Sequence, residues 1–317
     1  MNVGVDFALF RHRLSGTIEY YNKYSVDLLA AINGSPTQGF GYTTLMTNNG
    51  KMVNRGVEIT LSGEIIRQKD FSWNASLLYA FNRNKVKHIS VQPSLWDSRI
   101  SMPTSYPMVG KPLYGIYAYK WAGLNENGDP QVYDAENNVT SGPARDYHAL
   151  VYCGTTVPIH NASLTNVLRY KGFEFSAMLI LDAGHKLRSS NIPSINMSNG
   201  RITSTAKGIV DRWTQPGDVT DVPRLLFSND TENFNTHRTE LYRYSDLFVY
   251  DASNIRLSNI SLAYRVPAHW CKKISLSGAR LQFNVENVAT FAFDSKANYD
   301  LGGKVKPNYV WGLYLNF

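Results

Sequence analysis

A catalytic or metal centre in this chain would have to be assembled from seven histidines, two cysteines and 25 acidic residues, and their spacing argues against one. His12, His88, His148, His160, His185, His237 and His269 form no ligand-spaced cluster. Cys153 and Cys271 lie far apart with no C-x-x-C pair, so neither a zinc site nor a disulfide framework is indicated. H-E-x-x-H, G-x-S-x-G, the P-loop and G-x-G-x-x-G are all missing. The expectation is a protein that is not an enzyme and takes no cofactor. One stretch comes closer to a metal site. Asn125, Asn127, Asp129 and Glu136 fall at positions 1, 3, 5 and 12 of a calcium-loop template, with Val132 at position 8. Pro130 stands where that template needs glycine, however, and no helical pattern flanks it. A turn in a loop hairpin explains the same residues.

Two other sets of residues are spaced for binding rather than catalysis. Glu58, Thr60, Ser62 and Glu64 recur at every second position, as do Arg280, Gln282, Asn284 and Glu286. On a strand each set occupies one face, suited to lining a water-filled interior, where polar residues are also the ordinary lining. Phe40, Tyr42, Trp96, Tyr106, Trp213 and Phe234 fall between the alternating segments. They could stack on sugar rings, pack their own loops or meet a partner protein.

The elements that would position these residues are strands. Val57, Ile59, Leu61 and Ile65 oppose Glu58, Thr60, Ser62 and Glu64, and Phe71, Trp73, Ala75, Leu77, Tyr79 and Phe81 oppose Ser72, Asn74 and Ser76. The pattern returns in Phe173, Phe175, Ala177, Leu179 and Leu181, in Leu281, Phe283 and Val285, and in Tyr309, Trp311, Leu313, Leu315 and Phe317. Ile255 and Leu257 are out of phase with Ile260, Leu262, Tyr264 and Val266, which predicts a β-bulge near Ser258-Asn259. About nine long strands follow, at residues 2–10, 14–24, 54–66, 71–81, 162–170, 173–182, 254–266, 276–287 and 308–317. Their lengths match the roughly 9–11 residues that cross a bilayer at a tilt.

Tight turns (Arg11–Arg13, Arg67–Asp70, Lys171-Gly172, and a modest Pro267–Ser275) alternate with long segments at 25–53, 82–161, 183–253 and 288–307. Such alternation puts short turns at one end and long loops at the other, the plan of an outer-membrane barrel. The stretch Leu113–Trp121 would break the parity as a tenth crossing. It is expected instead to form a hairpin inside the second long loop, paired across Asn125–Asp129 with residues near Val132-Tyr133. Aromatics near strand ends (Tyr20, Tyr21, Tyr24, Tyr79, Phe81, Trp270, Tyr309) suit an interfacial girdle.

Composition agrees. The 317 residues are 43% hydrophobic, 13% aromatic and only 18% charged, against about 25% charged in ordinary globular chains. Disorder is excluded by the aromatics, and a spanning helix by the lack of any apolar run near 18 residues. The net charge of +7 is scattered rather than striped, so nucleic acid is not an expected partner. No secretory signal opens the chain: Met1 to Phe10 already alternate like a strand. Either the protein stays in the cytoplasm or the natural polypeptide begins upstream of Met1.

Several stretches, in order, resemble the C-terminal part of SusC/RagA-type TonB-linked outer-membrane transporters of Bacteroidetes. Asn54-Arg55-Gly56-Val57-Glu58 resembles that family's Asn-x-Gly-x-Glu strand start, and Tyr170-Lys171-Gly172-Phe173 its Tyr-Lys-Gly-Phe periplasmic turn. Arg212-Trp213-Thr214, with Pro216 and Asp221-Val222-Pro223-Arg224, resembles its Arg-Trp-Thr…Pro-Arg loop. Ala252-Ser253-Asn254-Ile255-Arg256-Leu257-Ser258-Asn259-Ile260-Ser261-Leu262-Ala263-Tyr264, followed by Pro267, resembles its Arg-Leu-Lys-Asn-Ile-Thr-Leu-Ser-Tyr…Pro block. Asn284-Val285-Glu286-Asn287 departs at two positions from a Gly-Gln-Asn segment. The last strand (Tyr309, Trp311, Leu313, Leu315, Phe317) resembles the signal read by the barrel-assembly machinery.

The resemblance implies an all-β fold: the C-terminal part, about nine long antiparallel strands, of a 22-stranded transmembrane β-barrel with long extracellular loops and short periplasmic turns. It implies that residues 1–317 are a partial barrel domain, with the signal peptide, TonB box and plug upstream and absent here. The nine strands would be strands 14 to 22, the first and last both running towards the periplasm. Function would be TonB-energised import of oligosaccharides, or peptides, across the outer membrane beside a SusD-like substrate-binding lipoprotein. TonB would act only through the absent plug. The implied surroundings are outer-membrane lipid, with Glu58, Thr60, Ser62, Glu64, Arg280, Gln282, Asn284 and Glu286 facing the lumen. A soluble carbohydrate-binding β protein, a self-standing adhesin or pore, and a nonfunctional fragment of a split transporter gene stay open as alternatives.

Overall fold

A computed structural model describes residues 1–33, 37, 39, 44–90, 98–142, 147–197, 206–227, 236–302 and 306–317. Nine strands form one sheet in which every strand pairs with its neighbours in chain order: β1 (Asn2–Leu9), β2 (Leu14–Asn33), β3 (Thr44–Arg67), β4 (Phe71–His88), β5 (His160–Tyr170), β6 (Phe173–Ala183), β7 (Asn254–Arg265), β8 (Gly278–Ala292) and β9 (Asn308–Asn316). All eight pairings are antiparallel. The sheet does not close on itself, and β1 and β9 are its edges.

Alternation within strands becomes segregation of faces because the registers line up across the whole sheet. One row runs Phe7, Gly16, Leu61, Leu77, Leu164, Leu179, Leu257, Ala289, each residue directly opposite the next. The adjacent row, on the other face, runs Thr17, Thr60, Leu78, Ser163, Ile180, Arg256. A one-residue slip at any pairing would throw these rows onto opposite faces. The expected bulge is present: Ser258 is the extra residue between Leu257 and Asn259. On the facing strand Asn287 takes a left-handed φ of 54°, so the disturbance is shared by both strands.

Three strands run further than alternation alone predicts. β2 and β3 remain paired from Ser25 to Asn33 and from Thr44 to Met52, and β4 continues to His88. The expected loop at 25–53 is therefore mostly a hairpin extending beyond the sheet. Register shifts between Ser25 and Leu28 and between Leu28 and Leu29, with Asp27 at φ 54°, break the alternation and hide it from a period-two search. β8 likewise extends to Ala292 past its own bulge.

The short connections, residues 10–13, 68–70 and 171–172, lie at one end of the sheet. Lys171 adopts φ 52°, and a Cβ on Gly172 would sit 2.8 Å from the Arg265 carbonyl, which explains a Lys-Gly pair here. Residues 266–277, with a one-turn helix at Ala268–Lys272, also connect at this end.

At the other end the two longest connections fold together into a cap. Gly115–Tyr119 pairs with Leu150–Thr155, Trp121–Leu124 with Pro130–Tyr133, and Lys186–Arg188 with Val249–Asp251. The expected hairpin across Asn125–Asp129 is therefore correct in its turn and wrong in its first strand. Gly115–Tyr119 is buried along its whole length and belongs to the centre of the cap, where Leu150–Thr155 covers it. Ile100, Tyr117, Tyr119, Val132, Ala149, Leu150 and Leu241 form the cap core, and Ile195, Tyr242 and Phe248 a second cluster beside it.

Candidate functional site

Three places bring chemically useful groups together: the polar face of the sheet, a buried ionic node in the cap, and a cleft where cap and sheet meet.

On the polar face the two predicted sets lie on one surface. Glu58, Thr60, Ser62 and Glu64 on β3 share it with Arg280, Gln282, Asn284 and Glu286 on β8, through the rows described above. Ser62 Oγ lies 3.4 Å from Ser76 Oγ, Gln282 donates to Ser261 and Asn284, and Asn308 donates to Glu286. Glu174 joins two strands by accepting from Arg169 at 2.7 Å and Arg280 at 3.1 Å, and Asp182 accepts from Asn161 and Arg256. These side chains are partly exposed, so each pair adds under about 1 kcal/mol, and the arrangement is a wetted lining rather than a glue. Leu78, Met178 and Ile180 also stand on this face, an apolar spot that alternation does not single out.

The opposite face carries the apolar side chains, many of them exposed: Val5, Ile18, Leu281, Leu313 and Trp311, the last at 78%. Tyr309 is exposed at the start of β9 and Trp270 within the 266–277 connection, as the girdle expectation has it, whereas Tyr20 and Tyr24, also exposed, stand in the interior of β2 because that strand runs on to Asn33. Tyr21 departs from that expectation. It stands on the polar face against Gly56, where a Cβ would collide with the Tyr21 ring and the Phe81 carbonyl. That contact supplies a steric reason for glycine in the Asn54-Arg55-Gly56 stretch.

The calcium-template residues do a different job. Asn125 Oδ1 accepts from the backbone N–H of Asn127 at 3.0 Å and of Asp129 at 2.8 Å, closing the turn on itself. Asp129 faces two arginines, Arg224 at 2.8 Å and Arg238 at 3.1 Å. Glu136 lies in the next turn, its N–H donating to Asp134. Among the described residues no three His, Cys, Asp or Glu side chains gather as a metal site.

Arg238 lies on the helix Thr236–Arg243 and is 2% exposed. Besides Asp129 it donates to the carbonyls of Ile195 and Arg224 and to Asn196 Oδ1, so one guanidinium ties three cap segments. Burial lowers its pKa and the Asp129 carboxylate opposes that shift. Arg188 repeats the device, donating to the carbonyls of Tyr117, Arg243 and Ser245. Sequence reasoning missed both, since an isolated arginine carries no spacing signal.

The Arg212-Trp213-Thr214 and Asp221–Arg224 stretches converge on this node. Trp213 lies against Gly128, its N–H donates to the Val222 carbonyl, Trp121 Nε1 donates to Asp221, and Asp218 accepts from Thr214 and Gln215. Those bonds to Thr214 and Gln215 hold the Asp218 carboxyl below its usual pKa. Outside them runs an open groove of about 660 Å³ lined by Asn125, Asn127, Trp213 and Asp218 among others. Of the loop aromatics, Tyr106 lies in the cap, where its carbonyl accepts from Arg99, and Trp213 lines the groove. Phe40, Tyr42, Trp96 and Phe234 lie outside the described residues.

Comparison with known proteins is consistent across the chain. Residues 1–288 match the family model described as TonB dependent receptor-like, beta-barrel. TonB-dependent receptor P3 of Formosa agariphila is 25% identical over 99% of this chain and 32% of its own length. TonB-dependent receptor SusC of Bacteroides thetaiotaomicron is 24% identical over 90% of this chain and 28% of its own. The solved structure of the RagAB peptide transporter superposes over 100% of this chain and 35% of that one, with a TM-score of 0.75 at 22% identity. The chain thus spans about a third of the length of the relatives it matches.

Proposed function

The chain belongs to the TonB-dependent receptor β-barrel family of outer-membrane proteins, and from that premise we propose that it supplies wall and extracellular cap to an importer of oligosaccharides or peptides. The nine strands are one arc of a larger barrel, whose remaining strands meet the open edges β1 and β9. The polar face lines the lumen, with Glu58, Thr60, Ser62, Glu64, Arg280, Gln282, Asn284 and Glu286 bordering the plug and the solute path. Leu78, Met178 and Ile180 give the plug an apolar foothold on that wall. Lipid covers the opposite face. Tyr309, Trp311, Leu313, Leu315 and Phe317, on and beyond the edge strand β9, are the sequence that the barrel-assembly machinery reads.

The observation that carries this reading is the register. Seven pairings in succession keep a leucine-rich row on one face, and five of them keep a mainly polar row beside it on the other. A soluble protein would have to cover the apolar face, and lipid does so without further protein. The cap, packed around Arg238 and Arg188, holds the long loops as a fixed rim. A SusD-like lipoprotein closes over that rim, and the groove beside Trp213 is offered to substrate or to that lid. Energy comes from TonB acting on the plug, and transport proceeds by gated binding without covalent chemistry.

Deletion of the gene carrying this chain tests the reading. Uptake of one class of glycan or peptide should be lost and restored by the complete gene, and a SusD-like lipoprotein should co-purify from detergent-solubilised outer membranes. Unchanged uptake across a panel of both classes, with no co-purifying lipoprotein, would overturn it.

A further inference from the structure

Where β3 and β4 rise past the apolar rows, a cleft of about 720 Å³ opens between the sheet and the cap segments 110–112 and 152–159. Five cations line it, Arg55, Arg83, Lys85, Lys87 and Lys111, and no carboxylate does. Arg55 opposes Arg83 directly, and Lys85 follows two residues further on the same face. Like charges opposed across a strand pair are unfavourable unless an anion lies between them. Among the described residues these five make no ion pair. Arg55 Nε donates to the neutral Asn22, and Lys111 Nζ stands 4.7 Å from the centre of the Tyr152 ring.

The position of the cluster selects the kind of anion. Arg55 is in phase with Val57 and Ile59, and Arg83 and Lys85 with Phe81 and Tyr79, so these three cations stand on the apolar face and not on the polar one. Tyr20, Val57 and Phe81 form the lower lining of the same cleft. A ligand that fills it meets hydrocarbon-like surface below and guanidinium and ammonium groups above. The structure of the cleft is held by the main chain: Val86 exchanges N–H···O bonds with Lys111 and Gly110, and Asn82 N–H donates to the Ile159 carbonyl.

We propose that this cleft binds a lipid whose headgroup carries phosphate, seated in the outer leaflet with its acyl chains on the apolar face and its phosphate among Arg55, Arg83, Lys85 and Lys111. Arginine forks and lysine ammonium groups are the side chains that take phosphate oxygens, and the acyl chains below keep a hydrocarbon environment against the apolar face, so the phosphate contacts carry the selectivity. The proposal rests on the apolar face being the lipid face.

The test is native mass spectrometry of the complete outer-membrane protein in detergent, titrated with a glucosamine-disaccharide lipid bearing one phosphate and with the same lipid dephosphorylated. The phosphorylated lipid should bind at least tenfold tighter. R83Q/K85Q should lose that preference, whereas the charge-preserving pair R83K/K85R and the distant K272Q should keep it. Equal binding of the two lipids, or an unchanged preference in R83Q/K85Q, would overturn the proposal. So would inorganic phosphate competing fully at concentrations similar to the lipid, which would make this an anion site with no lipid component. Quenching of tryptophan fluorescence by brominated acyl chains is read in parallel. If quenching persists while the phosphate preference is absent, only the cleft proposal fails. If quenching is absent, the lipid-facing assignment of the sheet fails with it.

Discussion

The sheet and the cap are held together by different physics. The sheet buries little: among the described residues, only Val53, Val86 and Ala263 of the buried apolar side chains belong to its nine strands. Its order comes from backbone ladders and from register, and its apolar face is left for a solvent other than water to cover. The cap resembles a small water-soluble core. Tyr117, Tyr119, Leu241 and Tyr242 are at most 1% exposed, and charged side chains are buried only where carbonyls or carboxylates meet them. The lesson is that one chain places its leucines by two rules: outward where lipid is the solvent, and inward where water is.

Mutations that separate the two rules test that contrast, beginning with the largest effect. D129A removes the carboxylate facing the buried Arg238 and should cost the cap about 3–5 kcal/mol, since an unpaired buried charge is left behind. Hydrogen exchange should speed up across Gly115–Tyr119 and Leu150–Thr155 and stay unchanged in β5 and β6. L164R, in the middle of the leucine row, should cost about 2–4 kcal/mol when folding is measured in bilayers, as an arginine on the lipid face near the midplane does. There the cap exchange rates should not move. E174Q, on the polar face, should cost under about 1 kcal/mol, because its arginine pairs are partly exposed.

The smallest effect is one of pH. Burial holds the His185 pKa below its ordinary value, with Asp182 and Asp251 opposing the shift. The unfolded chain therefore takes up a proton first as pH falls through the ordinary histidine range of about 6.5. Cap stability should decline below that point and be level above it, and H185N should flatten the dependence. Exchange rates at Lys186–Arg188 measured at pH 5 and pH 7 would show it.

The sheet was legible because its signal is local. Period-two alternation needs only neighbouring residues, and even the bulge at Ser258 announces itself as a change of phase from Leu257 to Ile260. The strands were read short wherever the phase broke, as at Asp27 and Asn287. The cap was not legible because its partners are distant. The Trp121 N–H meets Asp246 across 125 residues, and Arg224 meets Asp129 across 95. The Asn125–Asp129 turn was recognisable as a turn from its Asn and Gly content. That Asp129 would serve two arginines rather than a cation depends on Arg238, whose own neighbours give no hint of burial. The polar residues of β3 and β8 share one face of the sheet, which their period-two spacing makes visible in the sequence, while Leu78, Met178 and Ile180 on that face were missed because apolar residues flank each of them.

The central claim, that register divides the sheet into a lipid face and a lumen face, is tested most directly along β6, where alternation of chemistry is weakest. Spin labels placed singly at 177, 178, 179, 180 and 181, in the complete protein in bilayers with Cys153 and Cys271 replaced by serine, would report accessibility to oxygen and to a water-soluble nickel chelate. The account predicts high oxygen access at Ala177, Leu179 and Leu181 and low access at Met178 and Ile180, although all five are apolar. Uniform oxygen access along the strand, or higher access at 178 and 180, would contradict it.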